Sequence, residues 1–283
     1  MQHPLPFALA LVFAPDNAPK DAMLDLYHNN ISVCAQKVRV TLAEKAIPWV
    51  GHHLEFAKGD QVSPEYLKIN PRGLVPTLVH DGRIIIESTV IDEYIDEVFP
   101  EPPLKPSDPV ERAHMRLWSK LCDEGLHTAC GSISFAAAFA RQLAHGKTPE
   151  ELETRLAAMP DPARRERQRQ IILHGFDVPF VRDHVKLFDK AIGDMETALS
   201  GGPWLAGRSF SLADISLIPY VERMNRLGLE GMWAKRPRVA DWFARMVARP
   251  SFTAISEFDP VDYDDRIKEK ENHWPKVRSI IES

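Results

Sequence analysis

Two short stretches of this 283-residue chain carry groups that can do chemistry together. The first is Val75-Pro76, at the entrance of an apolar run of strand type that ends at Val79. Proline cannot donate to a sheet ladder, so Pro76 belongs at a strand entrance or edge. That leaves the Val75 N–H and C=O to pair with an extended peptide. The second stretch is Glu87-Ser88, directly before Val90, Ile91, Tyr94, Ile95 and Val98, which recur at helical spacing. A carboxylate and a hydroxyl beside the bare N–H groups of a helix start can hold both the amine and the carboxylate of an α-amino acid. Together they describe a site for a short peptide with a free amino-acid end.

The elements that must position these residues are legible around them. Leu24 to Tyr27 reads as a strand, Cys34 to Lys45 as a helix, and Pro48 to Leu54 as a second strand. Asp81-Gly82 is a two-residue hairpin signal between Val75–Val79 and Arg83–Ile86. Strand, helix, strand, hairpin and helix form a thioredoxin-like α/β layout over 23–101. The proline-rich stretch Pro100-Glu101-Pro102-Pro103-Leu104-Lys105-Pro106 is a stiff linker and domain boundary.

From 108 to 260 the pattern is helical, an all-α bundle. Asp108-Pro109 caps its first helix. The polar segment His145 to Arg169, with Met159-Pro160-Asp161-Pro162, is expected to break the bundle. Ser211-Leu212-Ala213-Asp214 is a capping box that fixes a central helix and carries no chemistry. Residues 1–22 read as an N-terminal extension and 261–283 as a C-terminal tail.

Composition sets the frame. A net charge of −5, from 35 Lys+Arg against 40 Asp+Glu, does not call for nucleic acid. The run Arg164, Arg165, Arg167, Arg169, with Glu166 interleaved, reads as a solvated helix. No stretch reads as a membrane span. Cys34, Cys122 and Cys130 offer no paired framework, which fits a reducing, cytoplasmic setting. Asp259, Asp262, Asp264 and Asp265 lack calcium-loop spacing, and His52-His53 on a strand face opposite ways, so no metal site is expected.

Val75-Pro76, Glu87-Ser88, the helix after them, the proline-rich linker, and Ser211-x-x-Asp214 after Trp204-Leu205-Ala206-Gly207 occur in the order and spacing of the cytosolic glutathione transferases. Over roughly 23–260 the chain resembles that family. Asn70-Pro71-Arg72-Gly73, Glu87-Ser88-Thr89-Val90-Ile91, Val98-Phe99-Pro100-Glu101 and Val110-Glu111-Arg112-Ala113 resemble its bacterial branch that cleaves lignin β-aryl ethers.

The resemblance implies the glutathione transferase fold, glutathione as cosubstrate, a small hydrophobic or aromatic electrophile, and a homodimer. It implies that Val75 and Pro76 present the backbone edge to the cysteinyl amide. Glu87 and Ser88 would hold the γ-glutamyl end, and Gln61 the glycyl carboxylate. Asp123 would reach the γ-glutamyl amine across a dimer interface. Ser32 matches the thiol-activating serine, and Cys34 a cysteine two residues on. Alignment on Thr41-Leu42-Ala43-Glu44-Lys45 instead puts the ether-cleaving branch's serine on Ala35, and Asn30 then becomes a candidate. Trp118, Cys122, Leu126, Ile133, Phe135 and Phe139 are candidates for the electrophile side, a stripe whose spacing also fits a helical core. Two other functions fit the same motifs: a non-catalytic interaction protein that keeps the fold, and a Cys34-dependent thiol reductase.

Overall fold

The computed structural model describes residues 24–56, 58–157, 159, 161–256 and 271–283. The 1–22 extension and Asp259, Asp262, Asp264 and Asp265 lie outside the described residues.

The N-terminal unit is a four-stranded sheet of order β2-β1-β3-β4. Its strands are β1 (Leu24–His28), β2 (Val50–His53), β3 (Thr77–His80) and β4 (Arg83–Ile86). β1 runs parallel to β2 and antiparallel to β3. A parallel pair needs a crossover, and α1 (Val33–Glu44) supplies it. Between β2 and β3 lies the one-turn helix α2 (Pro64–Leu67). The β3–β4 hairpin turns on Asp81 and Gly82, both at positive φ, as the Asp-Gly pair predicts. α3 (Ser88–Val98) follows β4 directly. Leu24 and Leu26 of β1, Val38 and Leu42 of α1, Leu78 of β3, and Ile91 and Ile95 of α3 make one small core. This is the thioredoxin-like arrangement. The observed β3 starts two residues late because Pro76 cannot join the ladder, and the Val75–Pro76 bond is cis.

The linker is anchored at both ends. Buried Asp96 of α3 receives Lys45 Nζ at 2.5 Å and the Leu104 N–H at 2.8 Å. The Leu104 carbonyl then accepts the Leu212 N–H at 2.9 Å, joining the linker to the helical unit.

The helical unit begins with α4 (Pro109–Leu121), α5 (His127–Ser134) and α6 (Ala140–Ala144). They form one rod broken by π turns at Cys122–Leu126 and Phe135–Phe139. α9 (Pro179–Ala198), α10 (Leu212–Arg226), α11 (Pro237–Val247) and the short α12 (Thr253–Ser256) complete the bundle. α10 is the central helix, and most of its residues are buried.

Two expectations need correction. His145 to Arg169 does not break the bundle: it forms α7 (Pro149–Ala157) and α8 (Pro162–His174). Thr148 and Glu151 cap α7 reciprocally, and Asp161 caps α8 through the Ala163 and Arg164 N–H groups. Leu156 and Ile171 are buried inward, while Arg164 and Arg167 are exposed and Arg165 and Arg169 half-buried. The reading of 261–283 as a tail is also wrong for its described part. Helix Trp274–Ile281 buries Val277 and Ile280 completely in the helical core. Its Trp274 ring covers Gly231 so closely that a Cβ there would collide with it.

Asp214 is the node of the bundle. Its Oδ1 accepts the Leu205 N–H at 3.0 Å and Trp242 Nε1–H at 2.9 Å, and its Oδ2 accepts the Ser211 N–H at 3.0 Å. Asp214→Ala leaves three buried donors unpaired. It is expected to lower unfolding free energy by about 3 kcal/mol or more, measured by chemical denaturation. A loss within about 0.5 kcal/mol would refute that role.

Candidate active site

The β1–α1 loop is held by its carbonyls. Arg39 Nη1 donates to the Asn29 carbonyl at 3.3 Å, and its Nη2 to the Asn30 carbonyl at 3.3 Å. Gln36 Nε2 also donates to Asn30 O at 3.1 Å, and Arg223 Nη2 of α10 donates to Ile31 O at 2.5 Å. Burial, with Arg39 beside it, pulls His28 down to about 3. The neutral His28 ring accepts from Arg39 Nη1 through Nδ1 at 3.2 Å. With the carbonyls held inward, the chain enters α1 at Ser32.

Ser32 is the N-cap of α1. Its Oγ accepts the Ala35 N–H at 3.3 Å, which leaves its hydroxyl proton free to donate. It is half-buried, whereas Ala35 is fully buried in the first turn. The register that puts the reactive serine on Ala35 therefore points to a core position. Asn30 is half-buried, and its backbone is the part that holds the loop.

The 70–76 loop sits opposite. Asn70 Nδ2 donates to Leu74 O at 3.0 Å and to Thr77 Oγ1 at 2.9 Å, and Tyr66 OH donates to Leu74 O at 2.5 Å. These bonds fix Val75, half-buried, and the buried Pro76 before β3. Arg72 from this loop pairs with Glu87. Glu87 is itself the N-cap of α3 at φ +70°, a backbone that non-glycine residues rarely adopt. Ser88 follows, buried at the first turn. Gln61 lies in the 3-10 turn Asp60–Val62, with its Oε1 buried and without a partner.

α1 and α3 meet through Lys37. Its Nζ donates to Ser88 Oγ at 3.3 Å and to Thr89 Oγ1 at 2.9 Å. Thr89 Oγ1 in turn donates to Asp123 Oδ1 at 3.1 Å. Asp123, expected to act across a dimer interface, thus lies against α3 of its own chain. The wall toward the helical unit is Cys34. Its Sγ stands 3.5 Å from His127 Nδ1 and 3.8 Å from Tyr220 OH, and those two groups are 3.4 Å apart. Burial pushes the Cys34 thiol up, but the His127 contact, Lys37 and Ser88 together bring it below an ordinary thiol. The contact with Cys34 lifts His127 above its usual value against partial desolvation. Cys122 and Cys130 are the reverse, pushed by burial to about 12 and about 11.

Trp118, Phe135 and Phe139 are partly buried and packed against the helical core, whereas Cys122, Leu126 and Ile133 are buried within it; Trp118 Nε1 donates to Leu205 O at 3.1 Å. His52 and His53 part as a strand requires: His52 Nε2 meets Asp25 at 2.7 Å, while His53 faces Asn29.

Comparison with known proteins fits this geometry. The glutathione S-transferase N-terminal domain model matches residues 26–103, and the C-terminal domain model matches 162–245. Protein LigF of Sphingobium sp. is 32% identical over 243 residues, covering 83% of this chain and 93% of LigF. The chain belongs to the glutathione transferase family. It is an enzyme of that family. The crystal structure of beta-etherase LigF from Sphingobium sp. superposes with a TM-score of 0.72, covering 83% of this chain and 98% of that one. A glutathione transferase homologue from Sulfitobacter, solved with bound glutathione, is 25% identical, with a TM-score of 0.58 over 83% of this chain and 97% of that one. The FtsZ-localized protein A of Caulobacter vibrioides is 27% identical over 81% of this chain and 89% of its own.

Of the residues singled out by sequence, the structure links Cys34, Ser88 and Asp123 through Lys37 and Thr89, and Glu87 to the 70–76 loop through Arg72. The sequence reading missed Lys37, Thr89, His127 and Tyr220. Lys37 had a signal: a lysine on the same helical face as Val33, Val40 and Thr41, where a buried stripe was due. Tyr220, 186 residues from Cys34, had none.

The thiolate is the reactive form, and its share rises as pH climbs through the thiol pKa. Iodoacetamide should therefore label Cys34 with a midpoint below the ~8.5 of an ordinary thiol. Cys122 and Cys130 should stay unlabelled until far higher pH, and His127→Ala should move the Cys34 midpoint upward. Mass-spectrometric labelling rates check this, and equal midpoints in the two proteins would refute the Cys34–His127 coupling.

Proposed function

We propose that this enzyme ionises the thiol of glutathione and directs it at a carbon of a hydrophobic aromatic electrophile, with β-aryl ethers as the substrate class. The carrying observation is the convergence of three segments. Ser32, an N-cap with a spare hydroxyl proton, stands at the start of α1. The Val75–Pro76 turn and the Glu87-Ser88 corner are linked through the Arg72–Glu87 pair, and Lys37 ties that corner to α1. A hydroxyl donating to sulfur and the N–H groups of a helix start both favour the thiolate over the thiol. In an ether substrate the thiolate displaces the aryloxide: the C–S bond forms, the C–O bond breaks, and the electron pair leaves on oxygen. The likeness to LigF supports this substrate class.

A second reading rests on Cys34, whose contact with His127 makes it a candidate for thiol–disulfide chemistry as a glutathione-dependent reductase.

One experiment separates the two. Ser32→Ala removes a hydrogen bond to a charged acceptor worth about 1.5–3 kcal/mol. It should lower kcat/KM for a chloroaromatic and a β-aryl ether by about 10- to 150-fold and shift the rate profile to higher pH. Cys34→Ser should keep most of this activity, and Glu87→Ala should weaken glutathione binding in calorimetry. An inactive Cys34→Ser beside an unaffected Ser32→Ala would overturn the first reading in favour of the second.

A further inference from the structure

Lys37 is fully buried. An ammonium in the interior is costly unless its N–H groups are satisfied. The side-chain partners of Nζ among the described residues are the Ser88 and Thr89 hydroxyls, the first two side chains of α3. Burial alone lowers the Lys37 pKa. Cys122, Asp92, Cys34 and Asp123 together outweigh it and keep the group charged. Asp92 is buried too, pushed by desolvation to about 7 with Lys37 and the Thr41 hydroxyl acting in the opposite direction.

The geometry fixes the direction of every hydrogen bond leaving Lys37. A lysine ammonium has three donors and no acceptor. Both hydroxyl oxygens therefore accept from it, and each hydroxyl must spend its own proton elsewhere. Thr89 gives its proton to Asp123 Oδ1. Ser88 keeps its own proton to donate, and its side chain is one of the groups that lower the Cys34 thiol pKa. The corner thus holds a buried hydroxyl donor with a buried cation behind it, and, at the end of the Thr89 relay, an exposed carboxylate.

We propose that Lys37 is a positioning residue that sets the polarity of this corner: through Ser88 it creates a place for a carboxylate, and through Thr89 and Asp123 a place for an ammonium, so that the site selects an α-amino-acid end group. The inference rests on the glutathione reading above and names what makes that end of glutathione recognisable. Lys37 touches neither ligand nor sulfur in this account. It acts through the two hydroxyls and the charge it leaves beneath them.

The test pairs one protein change with ligand changes, read by calorimetry. Three ligands are compared: glutathione, glutaryl-cysteinylglycine, which lacks the α-amine, and γ-aminobutyryl-cysteinylglycine, which lacks the α-carboxylate. Wild type should prefer glutathione to the decarboxylated analogue by about 10- to 100-fold, the usual range for a charge-assisted hydrogen bond. Lys37→Met keeps the length and apolar stem but removes the charge and the donors. It should lose that preference while binding the decarboxylated analogue nearly as wild type does, and Lys37→Arg should restore part of it. A merely structural lysine would weaken all three ligands alike. Lys37→Gln, neutral and polar, serves as the second variant if methionine does not fold. Undiminished preference for glutathione in a folded neutral variant overturns the proposal. Failure of wild type to bind glutathione at all would instead overturn the reading on which it rests.

Discussion

The site depends on one constraint: three consecutive carbonyls, those of Asn29, Asn30 and Ile31, are bound by two arginines. Arg39 comes from α1, and Arg223 from the helical unit. Arg39 also donates from Nε to the Ala254 carbonyl at 2.9 Å, so one buried guanidinium ties the loop, its own helix and the end of the bundle together. Lysine could not replace it, because the contacts need a planar fork reaching several acceptors at once. With the carbonyls turned inward, the chain reaches Ser32 able to cap α1, and the α1 start faces the corner at α3.

The second layer is charge. The corner gathers partial positive charge from the α1 and α3 starts and a full charge from Lys37, the field on which the proposed glutathione site draws. The same field acts on Cys34. Burial raises its thiol pKa, but the His127 contact first, and then Lys37 and Ser88, bring it below an ordinary thiol, so Lys37 is the part of the field that Cys34 shares with the proposed thiol site. That explains why the structure alone supports two chemistries, and why the Ser32 and Cys34 variants tell them apart. The strained Glu87 backbone fits here too, since its positive φ places a carboxylate at the mouth beside Arg72.

Most of the fold was legible because local rules agreed with the tertiary outcome. Asp81-Gly82, Asp108-Pro109 and Ser211-Asp214 each did what their chemistry dictates. The polar segment after His145 was misread because its arginines masked two capped helices, although Thr148-Pro149 and Asp161-Pro162 were both start signals. The C-terminal helix was missed because Trp274, Val277 and Ile280 show their purpose only against α9 and Gly231. At the site, the residues within each motif were readable. The relations between motifs were not: Lys37 with Ser88 spans 51 positions, and Cys34 with His127 spans 93. Periodicity cannot report contacts of that kind.

The central claim is that the α1 start, with Ser32 as donor, makes the thiol of bound glutathione more acidic. The most direct measurement is an ultraviolet titration of the thiolate absorbance of glutathione on Cys34→Ser enzyme, which removes the protein's own candidate thiolate. The account predicts a midpoint at least one pH unit below that of free glutathione, roughly the effect of one charge-assisted hydrogen bond. A midpoint equal to that of the free thiol, with glutathione demonstrably bound, would contradict it.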